Sequence, residues 1–167
     1  QMLFDDPTAL ALEYTRTMMG FLMFVPKPTR IAMIGLGGGS LPKFCHRYLP
    51  DARLWVVEVN PKVIALRDTF HIPRDDSRLR IVHGDGADFV GRSSDRFDVL
   101  LVDGFDTEGL PKALRSQRFR ADYVTQLPAR SGRPGRRSSA ARIRLRHISL
   151  SAMPRRDPAQ RRRHRAE

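Results

Sequence analysis

Glycines and carboxylates stand together at the ends of four apolar runs in this sequence. Gly35-Leu36-Gly37-Gly38-Gly39-Ser40 follows the first run and Glu58 closes the second; Gly84-Asp85-Gly86-Ala87-Asp88 follows the third, and Asp103-Gly104-Phe105-Asp106-Thr107-Glu108 ends the fourth. Gly35, Gly37 and Gly39 permit a tight turn and let the backbone approach a ligand at the start of the next helix. Glu58 lies nineteen residues beyond Gly39, where an acid can accept hydrogen bonds from both hydroxyls of a ribose. Asp85, between Gly84 and Gly86, suits an adenine amino group or a helix cap. The set points to a nucleoside. Its glycine spacing differs from Gly-x-Gly-x-x-Gly and no phosphate-loop lysine follows, so an adenosyl sulfonium fits better than a dinucleotide. Asp103, Asp106 and Glu108 fall within six residues; such a group is costly to hold without a cation, and an amine is the expected partner on that rim.

Positioning these groups requires strands that end on one rim. Arg30 to Gly35, Arg53 to Glu58, Leu79 to His83 and Phe97 to Asp103 read as strands, the continuous apolar runs expected of a parallel sheet covered on both faces. Helices are predicted over Ser40 to Leu49, Pro61 to Phe70, Asp85 to Val90 and Ser116 to Leu127, and an amphipathic helix begins after Asp5-Asp6-Pro7-Thr8 and ends at Pro26. Alternating strands and helices give an α/β, doubly wound parallel sheet with right-handed crossovers. Ligands of such sheets sit beyond the carboxyl ends of the strands. The expected organisation is an N-terminal helix over 1–28 packing on the domain, a nucleoside-binding domain over 29–127, and an Arg-rich tail over 128–167.

Charge sharpens that division. The 167 residues carry 30 Lys and Arg against 18 Asp and Glu, a net charge of +12. Residues 129–167 hold 13 Arg, no Lys and two acids, so residues 1–128 are close to neutral, at +1. The tail has no aromatic residue for base stacking, and its Arg, Pro, Ser, Gly and Ala composition is that of a G+C-rich gene read out of frame. It is expected to lack structure in isolation, and nucleic acid is expected to bind only non-specifically, through this tail. The single cysteine, Cys45, excludes a disulfide framework within one chain, suits a reducing compartment and has no metal-type Cys/His spacing around it. Met18 to Val25, interrupted by Gly20, is far short of the ~20 residues of a membrane span. No secretory signal is read, so the expected location is cytoplasmic, with no membrane partner and no metal.

Ile34 to Ser40, Val57-Glu58-Val59-Asn60-Pro61, Gly84-Asp85-Gly86 and Val102-Asp103-Gly104-Phe105-Asp106 occur in the order and spacing of the polyamine aminopropyltransferases, and residues 8–127 resemble that spermidine synthase family. The resemblance implies a Rossmann-like fold of the class I S-adenosylmethionine-dependent methyltransferase type, here lacking counterparts to the final strands and to the family's N-terminal β-hairpin domain. It implies transfer of the aminopropyl group of decarboxylated S-adenosylmethionine to putrescine or a related amine. By that resemblance Gly35, Gly37, Gly39, Glu58, Asp85 and Gly86 hold the co-substrate, Asp103 is the catalytic base, and Asp106 and Tyr14 bind the amine. Two positions depart from it: Gly38 stands where the family carries an aspartate that contacts the donor's amine, and Tyr14-Thr15-Arg16 replaces a Tyr-His-Glu element. The alternatives are an S-adenosylmethionine-dependent methyltransferase, which Gly38 favours, and a non-catalytic nucleoside-binding fold or tail-mediated nucleic-acid binder. A homodimer is left open.

Overall fold

The structure, a computed structural model, describes residues 2–104, 109 and 111–126. β1 (Arg30–Ile34), β2 (Arg53–Glu58), β3 (Leu79–His83) and β4 (Val99–Val102) form one parallel sheet in the order β3-β2-β1-β4. The chain steps outward from β1 to β3 and then returns to the other side of β1. That reversal opens a crevice at the carboxyl ends of β1 and β4, where a doubly wound sheet binds ligands.

Strand alternation sends side chains to two cores. Ile31, Met33, Val99 and Leu101 join Met18 and Leu41 in the larger cluster, under α1 (Glu13–Met18) and α2 (Ser40–Tyr48). Ile34, Leu100 and Val102 join Val90, Leu114 and Phe119 on the opposite face, under α4 (Gly86–Arg92), α5 (Lys112–Arg115) and α6 (Gln117–Gln126). Four of the five β1 residues are buried, which is why that strand reads as an uninterrupted apolar run. Cys45 lies in the larger core with its Sγ 3.9 Å from the sulfur of Met19, and burial pushes its thiol up to about 12, so it is packing and not a nucleophile.

The bounds of β2 and β3 match their sequence expectations; α4 begins one residue later and runs on to Arg92, two residues beyond the expected Val90, and the other expected elements are shorter. The N-terminal helix starts at Glu13, not after Thr8, because Asp6 Oδ1 accepts from the Thr8 amide at 3.0 Å and closes a separate turn. A 3-10 turn over Met19–Met23 then carries the chain to Pro26. The helix expected over Pro61 to Phe70 stops at Ala65 as α3 (Pro61–Ala65); the chain beyond it turns through His71, at φ 52°. β4 begins at Val99, not Phe97, since Asp98 uses its carboxylate to bind the Thr29 and Arg30 amides at 2.7 and 2.9 Å. Helix α5, one turn after Pro111, was not expected from the sequence. The expectation for residues 128–167 lies outside the described residues. Among the described residues no helix is long and apolar enough to cross a membrane.

Candidate active site

The crevice is formed by backbone before any functional side chain enters it. The Asp103 amide donates to the Ile34 carbonyl at 2.7 Å, and the Gly35 amide donates to the Val57 carbonyl at 2.8 Å. These bonds draw the ends of β1, β2 and β4 together. Gly35 has φ 95°, and a Cβ there would be driven into the Asp103 carbonyl, so this crossing requires glycine. Gly37, at φ 50°, has open space where a Cβ would stand: its glycine is required by backbone conformation and its face is free for a ligand. Gly39, at φ 68°, caps α2 in the left-handed region, with the Ile72 side chain filling the Cβ position.

A cavity of about 470 Å3 lies on this rim, lined among others by Gly35, Gly37, Glu58, Asp85, Gly86 and Asp103. Its size falls within the range of small-molecule sites. Glu58 is buried, with its Oε2 accepting from the Leu36 amide and its Oε1 from the Asn60 amide, both at 2.8 Å. Two backbone donors thus fix the carboxylate, while a carboxylate's remaining lone pairs stay available to the hydroxyls of a ligand. Asp85 is the N-cap of α4: its Oδ1 accepts from the Ala87 and Asp88 amides at 2.7 and 2.9 Å. The helix-cap role is therefore real, and it aims a fixed carboxylate at the cavity wall. Gly86 is excluded from bearing a side chain by Ile34, whose Cγ2 would collide with a Cβ, so its glycine serves close packing of α4 on β1.

Asp103 is placed differently. It lines both the large cavity and a second one of about 40 Å3 bounded by Leu12, Tyr14, Thr15 and Gly35 to Pro42. The Tyr14 hydroxyl donates to its Oδ2 at 3.2 Å. Burial pushes the Asp103 carboxyl up to about 6, with the Tyr14 hydrogen bond pulling the other way. Tyr14 in turn is pushed up to about 12, by burial first and by the neighbouring Asp103 charge second, so it stays a donor at neutral pH. Among the described residues no Lys, Arg or His pairs with Asp103. A half-buried carboxylate in that state attracts a cation and takes up protons near neutrality.

The structure places Gly35, Gly37, Glu58, Asp85, Gly86 and Asp103 on the large cavity and Gly39 and Tyr14 on the small one, with Gly35, Gly37 and Asp103 shared by both; Asp106 lies outside the described residues. Among the described residues no cluster of His, Cys, Asp or Glu fits a metal ion. Three contributors were missed by sequence reasoning. Asn60 supplies an amide to Glu58 and caps α3, a role its place before Pro61 signals. Pro111 and Leu114 close the cavity from α5, and nothing in their local sequence marks them.

Comparison with known proteins agrees with this geometry. The spermine/spermidine synthase domain family matches residues 11–128. A polyamine aminopropyltransferase of Chromobacterium violaceum is 45% identical over 119 residues, 71% of this chain and 46% of the relative. The chain therefore spans about half the length of the curated relatives it matches. A solved spermidine synthase in complex with the transition-state analogue AdoDATO superposes with a TM-score of 0.57 at 27% identity, covering 68% of this chain and 41% of that one. Human methyltransferase-like protein 13 in complex with SAH superposes at 0.60 with 24% identity, covering 70% and 60%. The fold is that shared by spermidine synthases and class I S-adenosylmethionine-dependent methyltransferases.

Proposed function

From a chain that belongs to the spermine/spermidine synthase domain family, we propose an aminopropyltransferase that takes decarboxylated S-adenosylmethionine as co-substrate and putrescine or a related amine as acceptor. The observation that carries the reading is Asp103, a carboxylate with no cation partner among the described residues, raised to about 6 and lining both cavities. Glu58 fits a ribose because its carboxylate is already fixed by two amides. Asp85 fits the adenine amino group, and Gly37 leaves room for the backbone to meet the nucleoside.

The acceptor arrives as an ammonium ion, which has no lone pair for attack. Asp103 attracts that cation and, being ionised above pH 6 or so, accepts its proton. The freed nitrogen then bonds the carbon next to the sulfonium; the carbon–sulfur bond breaks and its electron pair stays on sulfur, giving neutral methylthioadenosine. The sulfonium supplies the leaving group, so the protein's remaining task is to align amine and carbon. Tyr14 keeps the Asp103 carboxylate in one orientation, and Asp106 assists in holding the amine.

A methyltransferase is the second reading, favoured by one feature: Gly38, at the wall of the small cavity, offers no carboxylate to a donor amine. Calorimetric titration of the full chain with decarboxylated and intact S-adenosylmethionine separates the two. Tighter binding of the decarboxylated form, with methylthioadenosine released on adding putrescine, supports the transferase. Tighter binding of the intact form overturns it in favour of the methyltransferase, and binding of neither defeats both.

A further inference from the structure

Lys43 is a buried cation with no part in the chemistry proposed above. It sits in the first turn of α2 at 2% exposure, and its Nζ donates to the Phe70 carbonyl at 2.7 Å. Among the described residues it forms no ion pair. Burying an ammonium is costly unless it is hydrogen-bonded, so the Phe70 carbonyl is what makes this placement tolerable.

The segment that Lys43 grips runs back beneath the glycine loop. His71, a non-glycine residue at φ 52°, reverses the chain immediately after Phe70, and the next residue, Ile72, is buried with its Cγ1 and Cδ1 in the space a Gly39 Cβ would need. A left-handed non-glycine residue persists only where its surroundings impose it. Here the surroundings are the Lys43 bond on one side and, on the other, Arg67, whose Nε donates to the Pro73 carbonyl at 2.9 Å and whose carbonyl accepts from the Ile72 amide at 3.0 Å. The Lys43 amide itself donates to the Gly39 carbonyl at 3.0 Å. One residue therefore holds Gly39 twice, through its own backbone and through the seat of Ile72.

We infer that Lys43 is a positioning residue for nucleoside binding: its grip on the Phe70 carbonyl seats Ile72 against Gly39 and sets the shape of the Gly35–Gly39 turn. The inference rests on the nucleoside reading of that turn, and its test keeps the two apart. The full chain and its Lys43→Met variant are titrated with methylthioadenosine well below their melting temperatures. Lys43→Met, which keeps the length and removes the donor, is expected to bind about tenfold more weakly, as for loss of a hydrogen bond from a charged group. Its KM for the donor rises while kcat at saturation stays near wild type, a split that mere destabilisation does not produce. Ile72→Val, which removes the Cδ1 that helps fill the Gly39 Cβ position and leaves Lys43 in place, gives a smaller loss of the same kind and carries the test alone if Lys43→Met does not fold. Wild-type affinity in a folded Lys43→Met, whatever its melting temperature, overturns the inference, as does unchanged affinity in Ile72→Val. A wild-type chain that binds no methylthioadenosine overturns the nucleoside reading and this inference with it.

Discussion

Carboxylates mark both ends of the sheet, and Asp103 at the carboxyl end is treated in the opposite way to Asp98 and Asp76 at the amino end. At the amino ends Asp98 Oδ2 accepts from the Thr29 amide, the Thr29 hydroxyl and the Arg30 amide at 2.7 to 2.9 Å. Asp76 binds the Arg78 and Leu79 amides through Oδ1, both at 2.7 Å, and His46 through Oδ2 at 2.9 Å. Those contacts, the Arg78 amide first, hold its carboxyl down to about 2. At the carboxyl ends Glu58 keeps two amide donors, and Asp103 has, among the described residues, the Tyr14 hydroxyl alone while burial lifts it to about 6. An acid surrounded by donors ties loops together. One left short of donors in a half-buried site holds free energy that an incoming cation releases.

The largest effect that can break this contrast is Asp103→Asn. Aminopropyl transfer by this variant is expected to fall roughly 10²- to 10⁴-fold, the worth of a positioned general base, with methylthioadenosine affinity in calorimetry near wild type. A matching loss of affinity would assign Asp103 to nucleoside binding instead. Asp98→Ala should do the reverse: about 2 kcal/mol less stable to urea, for hydrogen bonds lost from a charged acceptor, with transfer per folded molecule unchanged.

Stability against pH sharpens the same contrast, because the two shifts have opposite signs. Asp76 is lowered on folding, so its contribution is present above the unfolded value of 3.8 and is lost as pH falls towards 2. Asp103 is raised, so the folded chain binds more protons between 3.8 and about 6, and this group's penalty is absent at low pH and grows as pH rises through that window. In thermal melts Asp76→Asn should therefore lower Tm at neutral pH and converge with wild type near the acid end. Asp103→Asn should match or exceed wild-type Tm at neutral pH. A lower neutral-pH Tm for Asp103→Asn would contradict the assignment of a strained carboxylate. Smallest of all is Tyr14→Phe: removing a hydrogen bond that lowers Asp103 should move the acid limb of kcat/KM upward, with a loss of rate of only a few-fold.

The four strands and their rim were legible in the sequence because burial on both faces leaves a continuous apolar run, as at Val56 and Val57 of β2, and because each run ends in a residue with a distinct use; the order β3-β2-β1-β4 comes from the structure. Glu58 and the glycine loop were legible as a spacing. The ends of helices were not, since local signals compete with distant ones. Pro61 announces α3, but no local residue marks its end at Ala65, and the chain beyond it is bound at the Phe70 carbonyl by Lys43, 27 residues away. Asp85 appeared as either cap or ligand, and the structure makes it a cap at the cavity wall. Helix α5 is only four residues and has too little periodicity to be read, although Leu114 closes both the second core and the cavity.

The most direct test of the account is the rate at which the full chain releases methylthioadenosine from decarboxylated S-adenosylmethionine and putrescine, followed against pH beside Asp103→Asn. The account predicts a kcat/KM that falls on the acid side with a midpoint at about 6, and a variant rate near background throughout. Equal rates for the two proteins, or a wild-type rate that is flat from about pH 5 to 8 where such a base must titrate, would contradict it.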